Sequence, residues 1–437
     1  MSQSILSNQT QKPNPVELAS AAVNHLVLKL PSGTAYCIGI VFIVMMTGRL
    51  ASCQGSLARA VLPMVFHLKW GWHRVERAME RGKVSLDSLF DRAWEWCWDN
   101  LPVEPVYLGE KKREVNAIDS STIARWRARA GMDLLGKGYY HRAGKAVKAN
   151  IVAAVTTIVI ISGVRVGLVR RVRFGLSCEE AVASIFKDLP ESGQKRLLVV
   201  DAGIATQEQF AAATEEDALL GRLRKNCKLR AAPAPKKKGK RGRPAKHGAI
   251  IHPGFDFPEI APLEDITDIE AEKPVRLRRW NQLHFEDFAD LMLDVVRVDH
   301  PDYDRPLLIG TMARELSTQE LRLAYSHRSP VETNFFVAQD TAGMEMPRAW
   351  TENAIKRRIG LALLSGFLLK AIAAVCEPIA TGPWDRKPQT TAGRLSHHLN
   401  VRVNDFSALS LKGVKSRNYR KIKKSQEIGV FELSKAA

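Results

Sequence analysis

The sequence lacks several things, and each shortage removes a class of explanation. Aromatic residues make up only 7% of its 437 positions. Acidic residues are outnumbered, with 46 Asp and Glu against 65 Lys and Arg and a formal charge of +19. The six cysteines, at positions 37, 53, 97, 178, 227 and 376, form no C-x-x-C pair and have no Cys or His neighbour at zinc-ligand spacing. A disulfide framework is therefore not expected, and a reducing cytosol is. The polar N-terminus, MSQSILSNQTQKPNP, does not have the form of a signal peptide. Two apolar runs fall short of a membrane span. Ala35–Met46 stops well before the roughly 20 residues a spanning helix needs, and Ala149–Val164 is broken by Asn150 and two threonines and followed by Arg165. There is no H-E-x-x-H, G-x-S-x-G or EF-hand loop. Gly131 to Lys137 imitates a P-loop, but Gly138 stands where the magnesium-binding Ser or Thr belongs. The histidines do not cluster apart from His397-His398, and no internal repeat is visible. The composition excludes collagen, coiled coil and full disorder, and the length suggests two or three domains.

What is there in excess is positive charge, and it is localised. From Arg222 to Lys246 there are twelve Lys and Arg and no acid; from Arg386 to Lys424 there are eleven against Asp405 alone. The remainder is slightly acidic, so the basic stretches read as binding surfaces for a polyanion, nucleic acid ahead of anionic membrane. The first stretch contains Lys236, Lys237, Lys238, Lys240, Arg241, Arg243 and Lys246 among Pro and Gly, an extended loop. Arg241-Gly242-Arg243-Pro244 has the form of a minor-groove hook, although one short copy reads more simply as a basic loop on phosphates.

Periodicity gives a coarse element order. Residues 15–106 show 3–4 spacing and read as helical, ending in Trp94, Trp96 and Trp98, which are expected in the core. Strands are expected at Arg113–Ile118, at about 150–160 and 164–173 around a Ser162-Gly163 turn, and at Lys195–Val200, with a helix from Ser177 to about Phe186 before the last. The order β-β-β-α-β ends its first strand in Asp119 and its fourth in Asp201, strands that can lie side by side. A basic loop, an acidic stretch and two alternating strands, Val275–Phe285 and Leu291–Val298, follow. Pro306–Thr311 reads as a buried strand; helices are expected at about 318–327, 331–340 and 351–375, with Ile359–Ala374 a central packing helix.

A third carboxylate lies in Tyr325-Ser-His-Arg328-Ser-Pro-Val-Glu332, which continues to Gln339. Here the sequence resembles the DDE transposases of bacterial insertion sequences with the Y-x2-R-x3-E-x6-K signature. Tyr325, Arg328 and Glu332 match the spacing, and Gln339 stands where that family has Lys. The segments Ala117-Ile118-Asp119-Ser120 and Val199-Val200-Asp201-Ala202-Gly203 fit the first two acidic positions. The resemblance covers roughly Arg113 to Ala374 and rests on three motifs in order. It implies an α/β fold, a ribonuclease H-like mixed sheet flanked by helices and interrupted by a β-rich insertion. The expected organisation is a disordered segment 1–14, a helical DNA-binding region 15–106, catalytic halves at 107–224 and 303–380 around an insertion at 225–302, and a basic tail 381–437.

The chemistry of phosphodiester cleavage accounts for these residue types. Two Mg²⁺ ions, for which Mn²⁺ can substitute, activate the attacking oxygen and stabilise the leaving one, and magnesium takes carboxylates, water and substrate phosphate oxygens. Asp119 is expected to bridge both ions, with Asp201 on one and Glu332 on the other. Each also has a plainer reading: Asp119 as a helix N-cap, Asp201 as a strand-ending turn, and Ser329 to Glu332 as a capping box. Arg328 suits bidentate phosphate contact and Tyr325 suits a DNA end; Gln339 keeps a donor without the charge. Trp280 reads as a half-buried strand residue, or as a stacking platform for a flipped base of the kind such insertions provide in relatives. The expected partners are double-stranded DNA, as element ends and target, and a second copy of the chain on that DNA; no membrane partner is expected, and the expected place is the bacterial cytoplasm, on the nucleoid. The competing expectations are a nuclease of the same fold that does not join strands, an inactive DNA-binding derivative, and a membrane-associated basic protein.

Overall fold

The computed structural model describes residues 12–62, 72–126, 128–129, 132–233, 245–255, 260–403 and 405–408. Its contacts divide the chain into two compact units. A helical unit comprises residues 1–102, 123–150 and 334–437, and a sheet unit comprises 103–122 and 151–333.

The sheet unit is mixed α/β. Its elements, some of which run on into the other unit, are β1 (Arg113–Ala124), β2 (Lys145–Ile161), β3 (Val164–Gly175), α1 (Cys178–Lys187), β4 (Arg196–Val200), α2 (Gln207–Ala212), β5 (Asp217–Leu223), β6 (Glu264–Glu270), β7 (Lys273–Phe285), β8 (Phe288–Asp299), β9 (Leu307–Thr311), α3 (Thr318–Ser326) and α4 (Ser329–Asp340). The strand order is β3-β2-β1-β4-β5-β9-β8-β7, with β6 paired to β7. The β2–β3 hairpin turns at Ser162-Gly163, both at positive φ (48° and 78°), as the twist of a tight hairpin requires. Strand β4 is parallel to β1 and β5 is parallel to β4. The near-continuous apolar runs Leu197–Val200 and Val115–Ile118, interrupted only by Asn116, are buried, as strands covered on both faces should be. Thr157 of β2 donates to the Asn116 side chain at 2.7 Å, which satisfies that polar group inside the sheet.

The β-rich stretch joins the main sheet through β9, which pairs antiparallel with β5. Two strands of the unit escape the hydrophobic pattern. Strand β5 hides in Ala218-Leu-Leu-Gly-Arg-Leu, just before the basic run. The acidic stretch is itself a strand, β6, whose burial alternates and whose Asp265 pairs with Arg276 on β7 at 2.6 Å. Cross-strand charge pairing there does what apolar alternation does elsewhere.

The helical unit is organised around Glu352–Val375. Helices Pro15–Val27, Ser32–Met46, Trp72–Arg81 and Leu86–Asn100 all pack on it. It is apolar nearly all round and long enough to cross a membrane, yet 89% of its most apolar window is buried inside the protein. A helix with no polar face must be covered on every side, and the N-terminal helices do this. Phe90 stacks on Phe367 with centroids 6.3 Å apart, and Trp96 is 1% exposed. The N-terminal helices and this late helix therefore share one core.

Candidate active site

Strands β1 and β4 are in parallel register, with Ile118 opposite Val200. Asp119 and Asp201 follow that last pair, so the two carboxylates stand on neighbouring strands at the carboxyl-end side, where open α/β sheets bind their ligands. The register is locked at the other end by Arg113. Its side chain is 1% exposed, pairs with Glu315 at 2.5 Å and donates to the Glu215 carbonyl at 2.8 Å. After Asp201 the backbone turns at once, with Ile204 and Ala205 N–H both donating to the Asp201 carbonyl at 2.9 Å. That turn lies on Gly221 of β5. A Cβ there would stand 2.5 Å from the Ala205 Cβ and 2.8 Å from Val200 Cγ2, so only glycine lets the turn approach.

Helices α3 and α4 bring the remaining groups. Ser317 and Glu320 form a capping box at the start of α3, and Arg165 of β3 donates to the carbonyl of its last residue, Ser326, at 3.3 Å. Tyr325 hydroxyl donates to Asp201 Oδ1 at 3.3 Å. Arg328 reaches both other carboxylates: Nη2 to Glu332 Oε1 at 2.5 Å and Nη1 to Asp119 Oδ2 at 3.7 Å. Its guanidinium also lies over the Tyr325 ring, 5.8 Å from the centroid. The Glu332 carboxylate is thus turned to Arg328, and the capping box forms one helix earlier than the Ser329–Glu332 reading had it.

The electrostatics follow from this crowding. Burial pushes the Asp119 carboxyl up to about 6; the Ser120 N–H and Arg328 resist the shift, and the charges of Glu332 and Asp201 add to it. Burial, with the Asp201 charge, raises the Tyr325 phenol, which stays a protonated donor. His327, within the Tyr-to-Arg spacing, is pushed down to about 4 by burial and by Arg165, so it is neutral. Glu332 is half-exposed, whereas Arg328 and Asp119 are largely covered. Among the described residues no three His, Cys, Asp or Glu are gathered closely enough to hold a metal ion. The donor set is all oxygen, the kind magnesium takes, and in this structure Arg328 supplies the positive charge between Asp119 and Glu332.

Five residues expected from the sequence are brought together: Asp119, Asp201, Tyr325, Arg328 and Glu332. Gln339 is half-buried on α4, seven residues beyond Glu332. Trp280 is not available for stacking as placed. It is 5% exposed, and its indole N–H donates to the Ile260 carbonyl at 3.1 Å, because β7 turns that position into the sheet's covered face. Lys246 is exposed. Lys236, Lys237, Lys238, Lys240, Arg241 and Arg243 lie outside the described residues, as do residues 1–11 and 409–437. The sequence reading missed Arg222. It is exposed on β5 and close enough for its charge to act on the Tyr325 phenol; its only signal was membership of the basic run. No protein-family model matches the sequence, and no curated protein matches it.

Proposed function

We propose that this protein is a DNA transposase that cleaves strands at element ends and joins them to target DNA, with Asp119, Asp201 and Glu332 holding two divalent cations. The observation that carries the reading is the convergence of Asp119, Asp201, Tyr325, Arg328 and Glu332, which come from three distant segments of sequence, around one guanidinium and one phenol. The order of the sheet supports it: a strand, a hairpin, a helix and then a strand parallel to the first is the arrangement a ribonuclease H-like core needs, and β6–β8 fall within 225–302, the stretch expected to be its insertion. When bound, Mg²⁺ supplies activation of the attacking oxygen and stabilisation of the leaving one.

The chain's own residues do the rest. Asp119 and Asp201 are fixed on rigid neighbouring strands, so their oxygens need no reorganisation. Tyr325 orients Asp201 by donating to it and, being protonated, cannot compete as an anion. Arg328 presents planar N–H donors suited to two phosphate oxygens at once. Arg222 extends the positive surface along β5 for the backbone of the substrate. The half-exposed Glu332 is the carboxylate that meets incoming DNA.

The test is a strand-transfer assay with Mg²⁺, a linear DNA carrying the sequences that flank the coding region, and a target plasmid. Integrated product is the expected result. Cleavage without joining would replace this reading by a nuclease of the same fold; neither activity, with DNA still bound, would reduce the protein to a DNA-binding derivative.

A further inference from the structure

The helical unit carries a cavity of its own, about 480 Å³, walled by Trp126, Tyr140, Trp350, Met132, Met346 and Pro347. Trp126 is 62% exposed and Trp350 is 53% exposed. Trp126 meets Tyr140 edge-on, with centroids 5.8 Å apart and planes at 77°. Indole rings carry most of the burial energy an interface can gain, and a contiguous aromatic patch left in water marks a ligand site.

The walls are built rather than collapsed. Arg125 donates to the carbonyls of Pro347 and Ala349, at 2.5 and 2.7 Å. That ties residues 346–350 down, with Pro347 and Ala349 buried and Met346, Arg348 and Trp350 exposed. Tyr140 hydroxyl donates to Glu345 at 3.0 Å, and Arg142 pairs with the same carboxylate at 3.4 Å. The lining therefore includes a carboxylate, Glu345, which is engaged by Tyr140 and Arg142 and has lone pairs left to accept from a ligand.

The rim is cationic. Arg348 lines the cavity and is exposed. Lys145 is the direct cross-strand partner of Tyr140 in the hairpin that β2 forms with Gly136–Tyr140, so it stands on the same face, and it too is exposed. On the other face Lys137 is directly opposite Lys148, both exposed. Like charges in that position are destabilising on their own and are relieved by a polyanion.

Aromatic faces for stacking, an acceptor for an exocyclic amino group and cations for the adjoining phosphates are the three requirements of a nucleotide displaced from its duplex. We infer that this cavity takes one unpaired nucleobase of a DNA strand, stacked on Trp126 and Trp350, with Arg348 and Lys145 on the flanking phosphates. The inference rests on the DNA reading above but not on catalysis.

The experiment uses the full chain in EDTA, where no cleavage is needed. The probes are a duplex with one extrahelical 2-aminopurine and the fully paired duplex of the same length. Binding to the first should quench the 2-aminopurine. Trp126→Ala and Trp350→Ala should each weaken the bulged duplex about tenfold and restore its fluorescence, with the paired duplex changed less than about twofold. Trp126→Phe, which keeps a ring, should retain the quenching. Both tryptophans are more than half exposed, so their removal leaves folding intact, checked by the circular dichroism melt. Unchanged quenching and affinity in both Ala variants, or equal loss on both duplexes, overturns the inference and leaves the transposase reading standing. Failure of wild type to bind either duplex overturns both.

Discussion

The buried arginines of the helical core and the arginine of the carboxylate cluster in the sheet unit have different partners. In the helical unit buried arginines mostly end on backbone carbonyls. Arg357 donates to Met79 at 2.7 Å and Gly82 at 2.6 Å, Arg358 to Gly55 at 2.8 Å, and Arg92 to Leu26 at 2.7 Å. Burial lowers the pKa of all three, Arg358 to about 10. In the sheet unit Arg328 lies among carboxylates. Burial works against its charge there as well, but Tyr325, Glu332, Asp201 and Asp119 carry its pKa above the ordinary value. A carbonyl that loses its arginine is left unpaired, whereas a carboxylate can accept another cation. The carbonyl-bound arginines are therefore fixed parts of the fold, and the carboxylate cluster is a place where positive charge can be exchanged. Arg357 and Arg358, on the helix that follows Gln339, are committed to holding the N-terminal helices.

The largest effect should come from the cluster. Asp119→Ala, Asp201→Ala and Glu332→Ala should each reduce Mg²⁺-dependent cleavage to background while DNA binding survives, as gel shifts and a cleavage time course will show. A variant that cleaves at the wild-type rate removes its residue from the site. Second is stability. Arg357→Met should cost on the order of 3 kcal/mol of unfolding free energy by urea titration, since it strands buried carbonyls. Arg328→Met should cost less than that while abolishing activity, because its nearest partner, Glu332, is half-exposed and can be solvated in its place. Equal losses would erase the contrast between the two arginine environments.

A buried amine in the helical unit gives a pH test of intermediate size. Lys370 donates to the Asn334 side chain at 2.9 Å, and burial pushes its pKa down to about 7. Below pH 7 the folded and unfolded states both hold the proton, and the full cost of burying the charge is felt. As pH rises from 7 towards the unfolded value the folded state alone is neutral, so wild type gains stability. The stability gap to Lys370→Met should narrow by roughly 1–2 kcal/mol between about pH 7 and 8.5; a gap that does not move with pH would mean that the amine titrates normally. The smallest expected effect is at Gln339. Gln339→Lys should lengthen the lifetime of the complex with cleaved ends by about 1 kcal/mol, about fivefold, and steepen its salt dependence. Equal lifetimes at every salt concentration would show that the charge is supplied elsewhere.

The sequence by itself determined the local order: β1 to β4 with α1, Asp201 at the end of its strand, the central apolar helix, and the Tyr325–Arg328–Glu332 spacing; β1 instead runs on past Asp119 to Ala124. Each follows from a short-range period, two for strands and 3.6 for helices, or from a motif within a few residues. Strand β6 escaped because its register is held by charge pairs, and β5 because its short apolar run adjoins a basic one. Only the tertiary structure decided which distant groups meet. Ser326 is held by Arg165, and Asp119 and Glu332 share Arg328 across more than two hundred residues of chain. Trp280 is buried because β7 has neighbours, Arg222 becomes part of the site because β5 runs beside β4, and Trp126 and Trp350 line one cavity because Arg125 ties down the segment 347–349. Periodicity states which face of an element is covered; the element that covers it is chosen by packing among the whole set, and the charges, the pKa values and the cavity depend on that choice.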